Sequence, residues 1–513
     1  MGLAEAGLEG SFRPLAESIV RSLLTEVERI LAQQGIEAYV VGGWVRDVLL
    51  GRDTADIDIA LTGDALAIAP RVASALGGTC VLLDEVNQVA RVVLPVPEEP
   101  APKVQWQLDF SSFSGTIEAD LARRDFTINA LAVNLHQLVR GRPAVQVIDP
   151  FHGGDDLRYR VIRVVAESVF TADPVRLLRA VRLAAELGFT MDEATETLIQ
   201  RDARLIARVA GERVREELLR LLSAPGSGRF LPYLDKLGLL TAVFPEMAPT
   251  RGVVQPGEHA WDVLEHSLKT VVAIDFLLHE GDWEYADAPV LSLAPWSVTL
   301  AQHFDQEISS GSTRKALLRL GGLLHDIAKP QTKAIEAGGR IRFLGHAQEG
   351  AVAAASTLER LRFSGKEIRL VELLIRHHLR PGQMGQPELP TRRAIYRFFR
   401  DTGEAGIDIL FLSLADHLAT RGPALDPAHW QEHTKVVRYV LEQHWPEEPH
   451  PAKLIDGHDI MNIFGLNPGP KVGELLEVVR EAQAAGEVSS REAALDLIKK
   501  LLEKQGSIEE EEH

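Results

Sequence analysis

The spacing of apolar residues divides the chain into a mixed first part and a long helical remainder. Apolar side chains recur at helical spacing from Leu15 to Leu31, which predicts an amphipathic helix that ends near Gly35. Strands are predicted where apolar residues form short runs or alternate with polar ones. The predicted elements after Gly35 are strands at 38–41, 56–59, 91–94 and 105–110 and helices at 44–50 and 65–76.

The rest of the chain has helical spacing almost throughout. Proline and glutamate at 95–103 predict a surface loop, and further breaks fall at 225–228, 281–295 and 445–451. We therefore predict an α+β fold in which a small mixed sheet precedes a mostly helical remainder. The predicted segments are an N-terminal helix (1–35), a head with the sheet (36–150), a helical neck (151–222), a helical body (223–445) and a tail (446–513).

Composition limits the class of protein. The chain has 513 residues, 45% hydrophobic and 25% charged, as in a globular protein of several domains. It contains no run of about 20 apolar residues, and its first residues lack the basic and apolar regions of a signal peptide. Together with a single cysteine, Cys80, these features predict a cytoplasmic protein without a membrane span.

The formal net charge of −18 argues against a protein that coats nucleic acid non-specifically. Arginines are nevertheless concentrated between Arg158 and Arg220. Because phosphate contacts depend on local rather than summed charge, the composition is compatible with binding of a specific RNA.

Two acidic residues form the densest chemical signal. Asp56 and Asp58 stand two apart on a predicted strand, so their carboxylates point to the same face. Neighbouring carboxylates repel each other unless a cation lies between them, and oxygen ligands suit Mg²⁺. Mg²⁺ ions held in this way can align an attacking hydroxyl and stabilise a leaving pyrophosphate. Asp109, on a candidate neighbouring strand, would complete the set of ligands.

A glycine turn precedes the acidic pair. Gly42 and Gly43 lead from a strand into a helix, where the backbone and the helix N-terminus can be approached by a triphosphate. Arg46, one turn into that helix, would add positive charge. The sequence therefore predicts a nucleotide site beside the two aspartates.

An acid and an arginine further along could select the base. Asp173 and Pro174 are predicted to cap a helix on which Arg176, Arg179 and Arg182 form a basic stripe. A carboxylate can accept from the amino group of cytosine or adenine, and a guanidinium can donate to the ring nitrogen. Guanine and uracil present the opposite pattern and would be rejected.

These motifs resemble those of a known family. Residues 42–58 resemble the active-site signature of the bacterial and eukaryotic tRNA nucleotidyltransferase and poly(A) polymerase family, within the polymerase-β-like superfamily. Residues 123–130 and 149–153 resemble its second and third motifs, and 173–182 its nucleotide-selecting motif. Ala172 departs from the pattern, because the family commonly has an acid there. The resemblance covers roughly residues 36–222.

The resemblance implies a polymerase-β-like head and a role for each matched residue. Metal ligands and catalytic groups would be Asp56, Asp58 and, from the spacing, Asp109. The residues implied to contact or shape the nucleotide pocket are Gly42, Gly43, Arg46, Arg123, Asp125, Asn129, Asp173, Arg176, Arg179 and Arg182. A weaker similarity to the last core motif of the family lies at 211–217.

Histidines and aspartates of the helical body form another pattern, which suits one or two transition-metal ions. Their order resembles that of the HD phosphohydrolase superfamily, and some tRNA nucleotidyltransferases carry such a domain with phosphatase or cyclic phosphodiesterase activity. The expected ligands are His266, His325, Asp326, His346, His377 and Asp416. His377 is chosen over its neighbour His378 without a signal that separates them.

The sequence thus predicts an enzyme that adds C and A nucleotides from CTP and ATP to the 3′ end of tRNA, with Mg²⁺, and a metal-dependent phosphohydrolase site in the body. The alternatives are a poly(A) polymerase, an enzyme that adds only CC or only A, and an HD phosphohydrolase with a non-catalytic RNA-binding head. The oligomeric state is not predicted.

Overall fold

The computed structural model describes residues 19–95, 105–140, 145–384, 389–444 and 453–511. The start of the first predicted helix at Leu15, residues 96–103 of the predicted loop and the break at 445–451 lie outside these ranges. The chain forms two compact units: residues 1–209 with 236–242, and residues 210–235 with 243–513. The α+β class is confirmed, since a mixed sheet in the head is followed by helices.

The predicted strands and helices of the head are all present, with shifts of one or two residues at their ends. The elements before residue 210 are α1 (Ile19–Ala32), β1 (Ala38–Val41), α2 (Gly43–Leu49), β2 (Asp56–Leu61), α3 (Ala65–Leu76), β3 (Thr79–Asp84), β4 (Val89–Val93), β5 (Gln107–Ser112), α4 (Ile117–Leu121), β6 (Ala132–Asn134), α5 (Leu135–Arg140), β7 (Val147–Ile148), α6 (Gly153–Tyr159), β8 (Val161–Ile162), α7 (Val169–Ala172), α8 (Arg176–Leu187), β9 (Thr190–Met191) and α9 (Glu193–Asp202).

One seven-stranded sheet organises the head, in the order β3-β4-β5-β2-β1-β6-β7. Strands β2 and β5 are parallel, whereas every other neighbouring pair in this sheet is antiparallel. The parallel pair confirms that Asp109 lies on a strand beside the two aspartates. Its register sets Asp58 opposite Asp109 and Asp56 opposite Gln107.

Alternation along β2 separates the core from the site. Ile57 and Ile59 are buried on one face, as are Leu108 and Phe110 of β5. Asp56, Asp58 and Asp109 therefore project from the other face. The hydrophobic effect fixes this arrangement, since a slip of one residue would bury the acids and expose the apolar side chains.

The helix predicted to begin after Asp173 starts later than expected. Asp173 has an extended backbone and ends α7, and α8 begins at Arg176. The intervening turn is tight, with the Arg176 N–H donating to the Asp173 carbonyl. The prediction that Asp173 caps this helix is therefore wrong. Asp173 instead lies in the turn that precedes α8.

The second unit is almost entirely helical, but it contains two short hairpins that the sequence did not predict. A helix also lies within the predicted break at 281–295. The elements after residue 209 are α10 (Gly211–Ser223), α11 (Phe230–Lys236), α12 (Leu239–Val243), α13 (Val263–Leu277), α14 (Ala288–Leu293), α15 (Val298–Asp305), β10 (Glu307–Ser309), β11 (Ser312–Thr313), α16 (Arg314–Leu324), α17 (Lys329–Thr332), β12 (Lys333–Ile335), β13 (Ile341–Phe343), α18 (His346–Arg360), α19 (Gly365–His377), α20 (Arg380–Met384), α21 (Arg392–Thr402), α22 (Ala405–Arg421), α23 (Pro427–His444), α24 (Gly457–Phe464), α25 (Pro470–Ala484) and α26 (Arg491–Glu511).

A buried ion pair joins α10 to α19. Arg215, in the segment that resembles the last core motif, donates to both carboxylate oxygens of Glu367 at 2.6 and 3.2 Å. Glu367 also accepts from the backbone of Ser364, at the N-terminus of α19. Burial raises the pKa of Glu367, but these donors outweigh it and lower the pKa from 4.5 to about 2.

Glu367→Gln is expected to lower the free energy of unfolding by about 2 kcal/mol at pH 7. The pKa of Glu367 is depressed on folding, so its contribution is complete above about pH 4.5 and declines as the pH falls towards 2. Urea denaturation of both chains at pH 7 and pH 3.5 measures this difference. Glu372→Gln, which removes a half-buried acid paired along α19 with Arg376, is the control. An equal effect at both pH values would contradict the assignment.

The tail has a small core of its own, built from apolar residues of α24, α25 and α26. Helix α21 faces it with charged groups: Arg393 and Arg397 pair with Glu481, and Arg400 pairs with Glu477. Among the described residues, no helix is both long and apolar enough to cross a membrane.

Candidate functional sites: an acidic row in the head and a histidine cluster in the body

The predicted acidic site forms on the open face of the head sheet. Asp58 is half-buried, with Asp109 directly opposite on β5 and Asp56 exposed at the start of β2. Loss of water around Asp58 raises its pKa; Arg124 lowers it, and the charges of Asp109 and Asp56 raise it further. A half-buried acid beside two others has the chemistry of a divalent-cation site, since a cation would relieve their repulsion.

Gly42 brings the backbone close to this row. Its φ of 73° and ψ of −133° are accessible almost only to glycine. A Cβ at this position would lie 2.6 Å from Nη1 of Arg124 and 3.1 Å from Oδ2 of Asp58. The glycine therefore allows the chain to turn from β1 into α2 next to both side chains.

Gly42→Ala is expected to slow nucleotide incorporation at least about tenfold, because the added methyl group displaces Arg124 or Asp58. Backbone strain should also cost about 1–3 kcal/mol of stability. Single-turnover incorporation and urea denaturation measure the two effects separately. Gly51→Ala is the matched control, because Gly51 has a φ of +69° and no atom within 4 Å of the added Cβ. Equal loss of activity in both variants would assign the effect to strain alone.

A hydrogen-bonded chain runs from the glycine turn to the arginine helix. Arg46 donates to Asn129 at 2.7 Å, and Asn129 donates to Asp125 at 3.0 Å. Arg179 of α8 pairs with the other oxygen of Asp125 at 3.3 Å. Burial raises the pKa of Asp125, but Arg179 and Asn129 outweigh it, so the pKa lies below its usual value. Four predicted residues thus form one connected network.

The predicted acid–arginine pair is also brought together. Nε of Arg176 lies 3.8 Å from Oδ2 of Asp173, is buried and has no hydrogen-bond partner among the described residues. The rest of its guanidinium contacts the carbonyls of Arg123 and Arg124 at 3.2 and 3.5 Å. The Nε–H of Arg176 therefore lies beside a carboxylate without a hydrogen-bond acceptor among the described residues.

The remaining predicted arginines face elsewhere. Arg123 is on the surface, with its side chain 70% exposed and paired with Asp120. Its neighbour Arg124 faces Gly42 and Asp58 instead. Arg182 is buried and donates to both oxygens of Glu186, one turn further along α8. Gly43 is the first residue of α2. A Cβ added to it would lie 3.6 Å from Nη2 of Arg46.

In the helical body, histidines and aspartates from five segments converge. Nε2 of His266 (α13) lies 3.2 Å from Nε2 of His325 and 3.0 Å from Asp416 (α22). Asp326 is 3.2 Å from His325 and 3.4 Å from His346, the first residue of α18. Two overlapping groups could hold an ion, with all ligand atoms of each group within 4.8 Å: His266, His325 and Asp416, and His325, Asp326 and His378.

Backbone carbonyls orient three of these rings. Nδ1 of His325, His346 and His378 lies 2.6–2.8 Å from the carbonyl three residues earlier. With Nδ1 donating, the lone pair of Nε2 points into the cluster, as a metal ligand requires. Burial lowers the pKa of His346, and that of His378 to about 3, which favours the neutral form that can bind a metal.

The position predicted for His377 is occupied by His378. His378 is buried, with Nε2 4.0 Å from Asp326, whereas His377 is half-buried near Arg380 and Asp401. Consecutive helical residues point about 100° apart, so only one of them can face the cluster. We therefore assign His378, not His377, to the candidate ligand set.

The chemistry of the donors fits a transition-metal ion. Among the described residues, Nε2 of His346 and both carboxylate oxygens of Asp326 are buried and have no hydrogen-bond partner, although the oxygens of Asp326 form ion pairs. Buried, unsatisfied acceptor atoms of this kind cost free energy unless a ligand engages them. Imidazoles with carboxylates are the ligand set of Mn²⁺, Co²⁺, Ni²⁺ and related ions.

Several residues near the two sites were not selected from the sequence. Arg124 could have been found only by knowing which of two adjacent arginines faces Gly42. Arg91 of β4 donates to both oxygens of Asp109 at 2.7 Å. Lys329, 2.6 Å from both Asp326 and Gln255, follows the His-Asp pair by one helical turn, which is a detectable spacing.

The fold and the two sites define a nucleotidyltransferase head combined with a helical HD body, and family models agree. The poly A polymerase head domain matches residues 38–163, and the probable RNA and SrmB-binding site of polymerase A matches 188–250. The HD domain matches residues 291–421. His266 lies outside that last match, yet the structure brings it into the cluster.

Relatives match most of the chain. An A-adding tRNA nucleotidyltransferase of Deinococcus radiodurans is 33% identical over 91% of this chain and 96% of the relative. A CC-adding tRNA nucleotidyltransferase of Thermus thermophilus is 35% identical over 89% and 92%. The chain therefore belongs to the tRNA nucleotidyltransferase family.

Solved structures share the fold. A Thermotoga maritima CCA-adding enzyme complexed with tRNA has a TM-score of 0.62 and 21% identity, over 96% of this chain and 98% of that one. A CCA-adding enzyme with CTP has a TM-score of 0.65 and 21% identity, over 97% and 98%.

Proposed function

We propose that this enzyme adds C and A nucleotides from CTP and ATP to the 3′ end of tRNA and releases pyrophosphate. The observation that carries the proposal is the row of Asp58 and Asp109 with Asp56 at its edge, in the same unit as the Asp173–Arg176 pair. The A-adding and CC-adding relatives support the substrates.

Different residues of the head would have different roles in nucleotide addition. Asp56 and Asp58, with Asp109 beside them, would hold Mg²⁺, which supplies charge stabilisation for the hydroxyl that attacks and the pyrophosphate that leaves. Arg46 and Arg124 would position the triphosphate beside Gly42, which has no side chain of its own. The Asp125–Asn129 network would hold Arg46 and Arg179 in place.

Asp173 and Arg176 would select the base without a nucleic-acid template. Asp173 accepts from the amino group of cytosine or adenine, and the guanidinium of Arg176 donates to the adjacent ring nitrogen. Guanine and uracil would place a donor against the guanidinium and an acceptor against the carboxylate. That mismatch would leave buried polar groups unpaired, which is the costly outcome.

Asp173→Asn is expected to reduce the preference for CTP and ATP over GTP and UTP by about tenfold to a hundredfold, since an amide can both donate and accept. The ratios of kcat/KM for the four nucleotides measure the effect. Asp155→Asn, which removes the same charge from an exposed position in α6, is the control. Unchanged ratios in the Asp173 variant would contradict the role in selection.

Relatives that match most of the chain favour a second candidate, an enzyme that adds only CC or only A. They are A-adding and CC-adding, whereas a CCA-adding enzyme of Geobacillus stearothermophilus matches only 42% of this chain. Incubation with tRNAs ending before CCA, after C and after CC, with one nucleotide at a time, distinguishes the candidates. Complete CCA supports the first, a stop after CC or addition of A alone supports the second, and no incorporation on any tRNA refutes both. Long A tails would indicate a poly(A) polymerase.

We also propose that the histidine cluster of the body hydrolyses phosphate esters with a bound transition-metal ion. The two overlapping ligand groups support this, since ions held there would activate water and stabilise the charge on a phosphate. Such hydrolysis could remove terminal phosphates from damaged tRNA before nucleotide addition. Because the proposed substrates of nucleotide addition are tRNA, CTP and ATP, we place the enzyme in the cytoplasm.

A further inference from the structure

An arginine lies at the end of the acidic row. Arg91 on β4 stands opposite Asp109 on β5, and Asp109 stands opposite Asp58 on β2. Residues that are directly opposite in a sheet project from the same face. The order across the open face is therefore one cation followed by two carboxylates.

The contact between Arg91 and Asp109 uses the full geometry of both groups. Nε and Nη2 of Arg91 donate to the two oxygens of Asp109, each at 2.7 Å. Such a paired contact fixes the plane and the direction of the carboxylate. Ala90 and Val92, on either side of Arg91, are buried on the opposite face, so the alternation of β4 directs Arg91 towards the acids. Its side chain is 35% exposed and can be reached from solvent.

The positive charge of Arg91 changes how strongly the acidic row attracts a divalent ion or a triphosphate. Asp56, Asp58 and Asp109 attract a divalent ion, whereas Arg91 and Arg124 repel it. The same two guanidinium groups attract a triphosphate. An ion that arrives bound to the nucleotide is accompanied by the negative charges of the triphosphate, so Arg91 and Arg124 do not repel the complex.

We propose that Arg91 is a positioning residue of the transferase site, which holds Asp109 beside Asp58 and makes the site bind a divalent ion weakly until the nucleotide arrives. This inference rests on the proposed function of the head. An Arg91 that served only to join β4 to β5 would affect stability and leave the affinity for ions unchanged.

The test is a titration of the full metal-free chain with Mn²⁺, followed by electron paramagnetic resonance, without nucleotide. The Mn²⁺ binding that is lost in Asp56→Asn is assigned to the head. This assignment distinguishes it from Mn²⁺ bound at the histidine cluster. In Arg91→Gln, Mn²⁺ binding at the head is expected to be about tenfold tighter, because one like charge is gone. The KM values for CTP and ATP are expected to rise by the same factor, about tenfold.

Two further variants keep the outcome interpretable. Arg91→Lys retains the charge but not the paired contact, so its Mn²⁺ affinity should stay near that of the unaltered chain while kcat falls several-fold. Arg71→Gln removes an exposed arginine of the same unit, bonded to Gln34, and should change neither quantity. If Arg91→Gln binds Mn²⁺ no more tightly, the inference is overturned, although nucleotide addition by the unaltered chain would still support the proposed function. If Asp56→Asn removes no Mn²⁺ binding from the unaltered chain, the metal assignment in the proposed function fails as well.

Discussion

Replacing Asp58 by asparagine is expected to slow nucleotide addition about a thousandfold, equivalent to about 4 kcal/mol of transition-state stabilisation. Asparagine has nearly the same shape, so Gly42 and Arg124 keep their places, but one negative charge leaves the centre of the row. Asp56→Ala should have a similar effect, because it removes a second ligand. Single-turnover addition of C or A to tRNA, in excess Mg²⁺, measures the loss.

Asp64→Asn is the control for the loss of charge. Asp64 caps α3 by accepting from two backbone N–H groups, and asparagine caps a helix about as well. This variant should keep full activity. Phosphate ester hydrolysis by the helical body should be unaffected in all three chains. An Asp58→Asn chain with more than a tenth of the normal rate would contradict the metal assignment in the head.

The second large effect is expected in the histidine cluster. Asp326→Asn should abolish hydrolysis of bis(4-nitrophenyl) phosphate in the presence of Ni²⁺, Mn²⁺ or Co²⁺ and remove bound metal from the purified protein. Asp326 is buried and has a carboxylate oxygen within 4.0 Å of each of four histidines, His266, His325, His346 and His378. Metal content by mass spectrometry and hydrolysis rates are measured together.

Because Asp326→Asn also leaves Lys329 without its acidic partner, a second variant separates metal binding from folding. His378→Gln retains that ion pair and should still lower metal content and hydrolysis about tenfold to a hundredfold. His377→Gln is the matched control, since the ring of His377 lies outside the cluster. Equal losses in the two glutamine variants, or hydrolysis that survives Asp326→Asn, would refute the site. Addition of nucleotides to tRNA should stay within twofold of normal throughout.

The sequence predicted those parts of the head in which local pattern and tertiary packing agree. Alternation around Asp56 and Asp58 gave both the strand and the shared face, since burial of Ile57 and Ile59 allows no other register. Strand β3 was missed because four of its six residues are exposed, so it lacks a buried stripe. The hairpins β10–β11 and β12–β13 are too short to show a period.

Two details of the sites depend on which of two adjacent residues faces the site. Whether His377 or His378 faces the cluster depends on where α19 stops, and whether Arg123 or Arg124 faces Gly42 depends on the turn after α4. Adjacent residues differ in direction by about 100° in a helix, which composition cannot reveal. Arg91 was missed for another reason, because its partner Asp109 comes from a strand whose pairing with β4 is set by the sheet.

The rings of His325 and His378 stand just past the ends of α16 and α19 and bond to the carbonyls of Gly322 and Ile375. The last turn of any helix leaves carbonyls without a partner, and here the imidazoles satisfy two of them. Both rings therefore lose their rotamer entropy when the protein folds, and not when a metal ion binds. Little side-chain entropy remains to be lost when the ion binds. The rate of metal binding should therefore be limited by dehydration of the ion and not by rearrangement of the protein.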